Sequence, residues 1–415
     1  MIIDRLTKEG FNIIGYPRLV RLNPNIPWKT RGNGAISIQI GKGMGRNKLI
    51  GEVRGKKIYS YSKNVHLNVE ISNIHSIIEE IVRKHAKLDD KDTNSGIVSI
   101  ENQPSLKFYK DAVKDVLTVV DAKNILISNK AYFKGYKNCR GIIGATASIA
   151  WKNQNDMTYE LIAYRHEDKW GSERYVDDES TKKMDNQIKS TFDNFDYKNN
   201  HNRLVPNSPC PVLFGIRGDN DNDLYKARLM IKSEEIDSWL IFQTNQATDD
   251  HLEKKTISDI KPYQSVIVEG FISNKPRTLE GGHVIFTIKD NSGKIDCAAY
   301  EPTKEFRYII RRLIVGDKLE VYGGVREKPL TINLEKINIL NLEKHIEKIE
   351  NPVCPKCGKH MKSKGLGQGF RCKRCGTKEN KPVLEEKKRN IKSGFYEVPV
   401  CARRHISKPL KRHQP

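Results

Sequence analysis

At 415 residues the chain is long enough for about two to four domains with cores of their own. Its 73 Lys and Arg against 51 Asp and Glu leave a net charge of +22 and a sequence pI near 9.5, a balance that calls for a polyanionic partner, nucleic acid first. A membrane partner is disfavoured: there is no apolar run long enough to span, no amphipathic anchor, and MIIDRLTKEG is not a signal peptide, so a soluble cytoplasmic protein is expected.

In chain order, Asn12 to Leu22 reads as a strand and Ile36–Ile40 as a second. Between them, Pro24 and Pro27 hold Asn23–Ile26 extended. Then come Lys29, Thr30 and Arg31, followed by Gly32, Asn33 and Gly34. Glycine amides converging on an anion beside two cations would make a phosphate cradle. The same residues would also make a basic hairpin turn around Asn-Gly. Ile71, Ile74, Ile77, Ile78, Ile81 and Val82 recur at helical spacing, predicting an amphipathic helix over Ile71–His85. A second helix is expected over Ser105–Val120, with Phe108, Val113, Val116 and Val120 facing inward. The polar acidic stretch Leu88–Gly96 falls in the loop between them. Gly141–Ala145 opens an Ala-rich apolar run, and Tyr159–Arg165 reads as a strand. Helices alternating with strands up to about residue 195 indicate α/β layering. A second unit is expected from about residue 196 to 260: strand Val212–Phe214, loop Gly215–Asp219, helix Asp223–Ile231 and strand Trp239–Gln243 suit a ferredoxin-like module.

From Gln264 the pattern is all-β. Val266–Ile272, His283–Lys289 and Lys294–Tyr300 alternate, a short helix is expected over Phe306–Leu313, and Lys318–Val325 and Leu330–Leu340 follow. Three strands, a helix and two strands is the order of an OB-fold barrel, placed at 261–345. Such barrels bind nucleic acid and also dock proteins.

Cys354, Cys357, Cys372 and Cys375 form the sharpest motif, C-x2-C-x14-C-x2-C. Each two-residue gap lets paired thiolates bite one tetrahedral ion, and four soft ligands with no open position predict a structural zinc ribbon over 350–380. A dithiol redox pair is the competing reading. Cys139, Cys210, Cys297 and Cys401 are singles. Cys297 reads as core, and Cys210, between two prolines, as site-lining. The tail, 381–415, completes a segment from Glu350 that carries 18 Lys and Arg against 5 Asp and Glu. Its Phe395–His405 stretch mixes aromatics with cations, which suits stacking on bases and binding phosphate, or a disordered basic tail.

RLNPNIPWKTRGNGA, LDDKDTN-x-G, CPVLFGIRGDN, TNQATDDHL, GGHVIFTI, CAAYEPTKEFR, the four-cysteine ribbon and FYEVPVCARRHISKPL occur in one order. Together they resemble the archaeal tRNA-isoleucine 2-agmatinylcytidine synthetases, from about Phe11 to Leu410. The resemblance implies a multidomain α+β protein: a kinase-like α/β domain at 1–195, a ferredoxin-like domain at 196–260, an OB-fold, a zinc ribbon and a basic tail. It implies a ligase that uses ATP to phosphorylate C2–O of the wobble cytidine of a tRNA-Ile with a CAU anticodon. Agmatine then displaces the phosphate, and decoding moves from AUG to AUA. Lys29, Thr30, Arg31, Gly32, Asn33 and Gly34 would hold ATP with Thr93 and Asn94. Lys29, Arg31, Asp89 and Asp90 would be catalytic, a carboxylate meeting Mg2+. Agmatine is a dication, and Asp193, Pro209, Cys210, Gly215, Arg217 and Gly218 would receive it; Asp193 could equally be a helix cap or turn. Ser95 stands where the family has proline. Family members also carry an acidic loop and a Thr-bearing segment before the helix that here begins at Ile3. A further N-terminal segment is therefore expected to precede Met1, the alternative being a copy that binds tRNA without modifying it.

Two other classes compete. A non-catalytic OB-plus-zinc single-strand binder leaves the long N-terminal half idle. A kinase of another substrate leaves the OB-fold and ribbon idle.

Overall fold

The computed structural model describes residues 1–29, 32–65, 70–152 and 156–413. One nine-stranded sheet organises the first 250 residues. Its main path runs Asn12–Ile14, Lys56–Val65, Ile40–Val53, Ser238–Thr244, Thr158–Tyr164, Val212–Gly218 and Thr191–Phe192. Arg18–Arg21 lies parallel to Ser238–Thr244 and pairs with Gly34–Ser37 on its far side. The strand expected over Asn12 to Leu22 is therefore two, because Gly15 takes φ +64 and Pro17 follows it. The long Ile40–Val53/Lys56–Val65 hairpin has no counterpart in the sequence reading, since its Gly-Lys-rich strand does not alternate. It crosses onto Ser238–Thr244 at Gly51, where a Cβ would lie 2.6 Å from the Trp239 carbonyl.

The last four strands of that path have the split βαβ arrangement. Thr158–Tyr164, helix Asp178–Gln187, Thr191–Phe192, Val212–Gly218, helix Asp221–Met230 and Ser238–Thr244 make an antiparallel sheet. Leu161, Met184, Leu213, Phe214, Ile216, Leu224 and Trp239 form its core. A unit starting at residue 196 would leave out its first two strands and first helix. A boundary at 195/196 runs between the hydrogen-bonded strands Thr158–Tyr164 and Val212–Gly218.

The Ala-rich run is a helix, Gly141–Ala150, and it is the buried centre of the N-terminal unit. Val20, Phe108, Val113, Leu126 and Trp151 pack around it. The single helix expected over Ser105–Val120 is broken into Leu106–Lys114 and Val119–Ser128. Thr118 and Asp121 cap each other's backbone in a capping box that starts the second helix. Val116 and Val120, expected inward, are exposed in consequence.

The barrel is an OB-fold. Ser265–Thr278, Val284–Lys289 and Lys294–Ala299 are antiparallel, Phe306–Ile310 is the intervening helix, and Lys318–Arg326 pairs with Thr331–Asn341. It closes through Ser265–Thr278 against Lys318–Arg326 and, in parallel, Lys294–Ala299 against Thr331–Asn341. A two-stranded stalk, Ile346–Glu350 with Val383–Glu386, carries the ribbon.

The C-terminal segment is a strap. Gly394–Glu397 adds a strand to the barrel edge at Thr331–Asn341, and Ile406, 2% exposed, completes the N-terminal core. Its cations are engaged internally. Arg403 pairs with Asp193, and with Glu397 at 2.5 Å. Lys408 and Arg412 both reach Asp156, at 2.8 and 2.7 Å. Arg412 also pairs with Asp219 at 2.7 Å. Among the described residues the tail is a packed strap and, at Arg403, Arg404 and Arg412, is not free to take phosphate, because long-range carboxylates hold these side chains.

Candidate functional site

The Asn-Pro-Asn-Ile-Pro segment clamps the N-terminal unit to the start of the barrel. Asn23 donates to the Tyr263 carbonyl at 2.9 Å and the Asp115 carbonyl at 3.2 Å. Asn25 donates to the Gln264 carbonyl and to Ser265 Oγ, both at 2.9 Å. Arg404 of the strap donates to Asn25 Oδ1 at 2.6 Å, and its guanidinium lies 3.3 Å from Glu335. Glu335 in turn meets His251 Nε2 at 3.0 Å. Three units and the strap therefore meet at one buried ionic joint. Burial opposes ionisation of Glu335, but His251 and Arg404 outweigh it and hold its carboxyl at about 2.

Directly after the clamp, a cleft of about 1900 Å³ opens beside the sheet edge. Lys29, Asn33 and Gly34 line it, as do Asp90, Asp92, Thr93 and Asn94 of the acidic loop and Pro209 and Cys210. Burial, with Arg404 nearby, lowers the Lys29 pKa. The acidic loop is closed on itself. The Asp92 amide donates to Asp90 Oδ1 at 2.9 Å, Asn94 donates to the Asp92 carbonyl at 3.1 Å, and Lys137 donates to the Asp90 carbonyl. That loop rests on the first turn of Gly141–Ala150 through two facing glycines. A Cβ on Gly96 would lie 2.1 Å from the Gly141 backbone, and one on Gly141 2.2 Å from the Asn94 carbonyl. A cation, a glycine-flanked backbone, a helix start and an acidic loop around one cleft suit a nucleotide's phosphates.

The sequence-derived residues divide clearly. Thr30 and Arg31 lie outside the described residues. Gly32 is adjacent to the cleft, its carbonyl accepting from Arg21 at 3.3 Å, and Asn33 spends its amide on the Asn23 carbonyl at 2.7 Å, with φ +35. Asp89 is exposed beside Asp90 and does not line the cleft. Asp193, in the left-handed region at φ +57, is taken by Arg403. Arg217 donates to Glu160 at 3.1 Å, and Gly215 and Gly218 lie in the same strand as Arg217. None of these four lines the cleft. Pro209 and Cys210 do, because Arg174 gathers their loop by donating to the carbonyls of Pro206, Ser208, Cys210 and Val212. Arg174 and the cleft-lining Arg140 carry no motif around them, so sequence reasoning had no signal for either. Asp92 stood within the acidic stretch but was not singled out.

The four ribbon cysteines converge with all ligand atoms within 4.8 Å of one another. Cys354 and Cys375 Sγ are 3.4 Å apart, as are Cys357 and Cys372. Thiolates on a tetrahedral ion with bonds of about 2.3 Å sit at such separations, so the donor set fits zinc. Met361 and Phe370 are the ribbon's only other buried side chains in that cluster, too little apolar surface to fold without a metal.

A phosphate-suited cleft clamped to an OB-fold that carries a basic zinc ribbon defines a nucleotide-using protein of the nucleic-acid-handling class. The comparisons are specific. Residues 1–138 match the TiaS TCKD domain, 139–251 the TiaS FLD domain, 266–340 the OB-fold nucleic acid binding domain and 351–391 the TiaS C-terminal zinc ribbon domain. The tRNA(Ile2) 2-agmatinylcytidine synthetase TiaS of Archaeoglobus fulgidus is 42% identical, over 99% of this chain and 92% of the relative. That of Methanocaldococcus jannaschii is 43% identical, over 99% and 93%. The chain belongs to the tRNA(Ile2) 2-agmatinylcytidine synthetase (TiaS) family. Among solved structures, a TiaS–tRNA(Ile2)–ATP complex superposes with TM-score 0.84 at 40% identity, covering 99% of this chain and 92% of that one. A TiaS–tRNA(Ile2)–AMPCPP–agmatine complex does so with 0.83 at 37%, covering 100% and 92%.

Proposed function

We infer that this chain is an ATP-dependent enzyme that joins agmatine to C2 of the wobble cytidine of tRNA(Ile2), forming agmatidine. Full-length membership of the family supports the reaction, and one observation supports its location: Lys29, Asn33–Gly34, Asp90 and Thr93–Asn94 share one cleft with Cys210. ATP supplies the phosphoryl group that turns a poor leaving group, the cytidine C2 oxygen, into a good one. The primary amine of agmatine attacks C2, and the oxygen departs with the phosphate. Lys29 and the glycine backbone at 32–34, with Thr30 and Arg31, hold the phosphates, and Lys29 and Arg31 steady the charge that develops during transfer. Asp90, with Asp89 beside it and Thr93 and Asn94 following, would hold Mg2+, which would supply positive charge for the phosphoryl transfer. Agmatine enters from the Pro209–Cys210 rim; it would reach Asp193 only by displacing Arg403. On this reading the kinase-like unit runs through the buried helix Gly141–Ala150 that centres its core, and the ferredoxin-like unit carries the agmatine side.

The OB-fold and the zinc ribbon grip the tRNA. Lys356, Lys359, Lys362, Lys364, Arg371, Lys373 and Arg374 are exposed on the ribbon, unlike the strap's paired cations. Among the described residues no helix is long and apolar enough to cross a membrane, and a cytoplasmic site of action suits a tRNA substrate. The test is nucleoside mass spectrometry on tRNA(Ile2) incubated with this chain, zinc, Mg-ATP and agmatine. An agmatine mass gain on the wobble cytidine is expected. RNA binding with no gain and no ATP consumption would reject the enzyme reading.

A further inference from the structure

Trp28 stands at the mouth of the cleft with 52% of its surface exposed, although the segment before it is clamped by Asn23 and Asn25. The Arg140 guanidinium lies 5.0 Å from its ring centroid and is fixed by donating to the Leu117 carbonyl at 3.2 Å. From the barrel, the Tyr263 ring approaches to 6.4 Å at 53°. Tyr263 holds φ +68, a left-handed backbone that a bulky side chain rarely adopts. Its hydroxyl donates to Glu327 at 2.9 Å and its amide to the Val325 carbonyl at 2.9 Å, so the strained residue is pinned from two sides. Strain kept in place by its surroundings gathers at ligand clamps.

Core packing does not account for this cluster, since the indole is half in solvent. An ion pair does not either, because Arg140 faces a ring. An exposed indole with a guanidinium over it and a second ring beside it is the composition that stacks an unpaired base. The cluster also sits where the phosphate-suited cleft meets the barrel, between the two parts that must share one RNA. We propose that Trp28, with Arg140 and Tyr263, is a platform on which a base of the bound RNA, swung out of its loop, is held at the mouth of the cleft. The proposal rests on the function inferred above and adds positioning residues to it. The adenine of ATP offers the same stacking chemistry from a second source; the position of Tyr263 on the barrel favours the RNA.

The test uses the full chain with zinc and an anticodon stem-loop of tRNA(Ile2) carrying 2-aminopurine at one loop position at a time. At one position, binding is expected to quench the 2-aminopurine. Trp28→Phe should keep the quench and Trp28→Ala should lose it. RNA affinity in Trp28→Ala should fall about 5- to 150-fold, the range that base–aromatic stacking supplies, with zinc content unchanged. Tyr263→Gly removes the ring and relieves the left-handed backbone. It should melt no lower than the wild type yet bind RNA more weakly, which a merely structural tyrosine would not do. It carries the test alone if Trp28→Ala does not fold. The proposal is overturned if no loop position gives a Trp28-dependent quench, or if ATP alone, and not the RNA, perturbs the fluorescence of Trp28. Wild-type agmatidine formation is assayed in parallel. Turnover without a Trp28-dependent signal rejects only the platform; the signal without turnover rejects only the enzyme reading.

Discussion

Glu335 is the centre of the joint between barrel, ferredoxin-like unit and strap, and Glu335→Gln probes it with almost no change in shape. The side chain is 4% exposed, with His251 at 3.0 Å and Arg404 at 3.3 Å. Burial alone would raise its pKa; the neighbouring His251 and Arg404 hold it at about 2 against 4.5 for a free glutamate. Each tenfold change in proton affinity is about 1.4 kcal/mol, so the ionised carboxylate contributes on the order of 3 kcal/mol. The sign follows from a depressed folded value: the stabilisation is fully present above pH 4.5 and is lost as pH falls toward 2. Glutamine imitates the protonated acid. The variant should therefore unfold about 3 kcal/mol more easily than wild type at pH 7, and the gap should shrink below pH 4.5. Urea unfolding of both proteins at fixed pH values from 7 to 3 measures it, and taking the difference cancels acid loss of zinc from the remote ribbon. A gap indistinguishable from zero at pH 7, or one that widens in acid, would refute the reasoning.

Cys372→Ser should strip zinc from the ribbon and weaken tRNA binding while leaving the barrel's transition in place; metal analysis and filter binding report it, and retained zinc with unchanged affinity would remove the ribbon from RNA recognition. Ile406→Ala deletes a 2%-exposed side chain from the N-terminal core and should cost about 2–5 kcal/mol. Faster limited proteolysis within the strap should accompany the lower melting temperature. Lys29→Met keeps the stem and removes the charge, so ATP-dependent agmatidine formation should drop about 10- to 100-fold, as expected for a lost charge-assisted contact. tRNA affinity measured without ATP should barely move.

The barrel and the ribbon were legible because their signals are local. Alternation in Val266–Ile272 and His283–Lys289 reports a half-buried strand directly, and paired cysteines two residues apart admit few meanings. The ferredoxin-like unit was harder to bound, because only two-residue strands, Thr191–Phe192, Phe195–Asp196 and His201–Asn202, and irregular chain lie between helix Asp178–Gln187 and strand Val212–Gly218. Its first strand therefore reads as part of what precedes it. Periodicity carried the expected helix past Lys114, where the Thr118–Asp121 capping box restarts it. The strap was least legible. A dense basic segment looks solvated until Asp156, Asp193 and Asp219 arrive from 193 to 256 residues away. Of the cleft, Lys29, Asn33, Gly34 and the acidic loop stood in visible motifs, whereas Asp193 and Arg217, expected at agmatine, are held by Arg403 and Glu160. No sequence pattern reveals that a carboxylate already has its arginine.

The strap also sets an order of events during synthesis. The N-terminal core is short of Ile406, and Asp156 of its cations, until residues 406–412 emerge. The 252 residues between Asp156 and Lys408 take about 10–50 s to make at about 5–20 residues per second. Through that interval the nascent N-terminal unit has an apolar vacancy and uncompensated carboxylates. A chain without the strap would have a barrel short of its Gly394–Glu397 strand and an N-terminal core short of Ile406. Closure by the strap thus makes the N-terminal core, synthesised first, among the last parts of the fold to be completed.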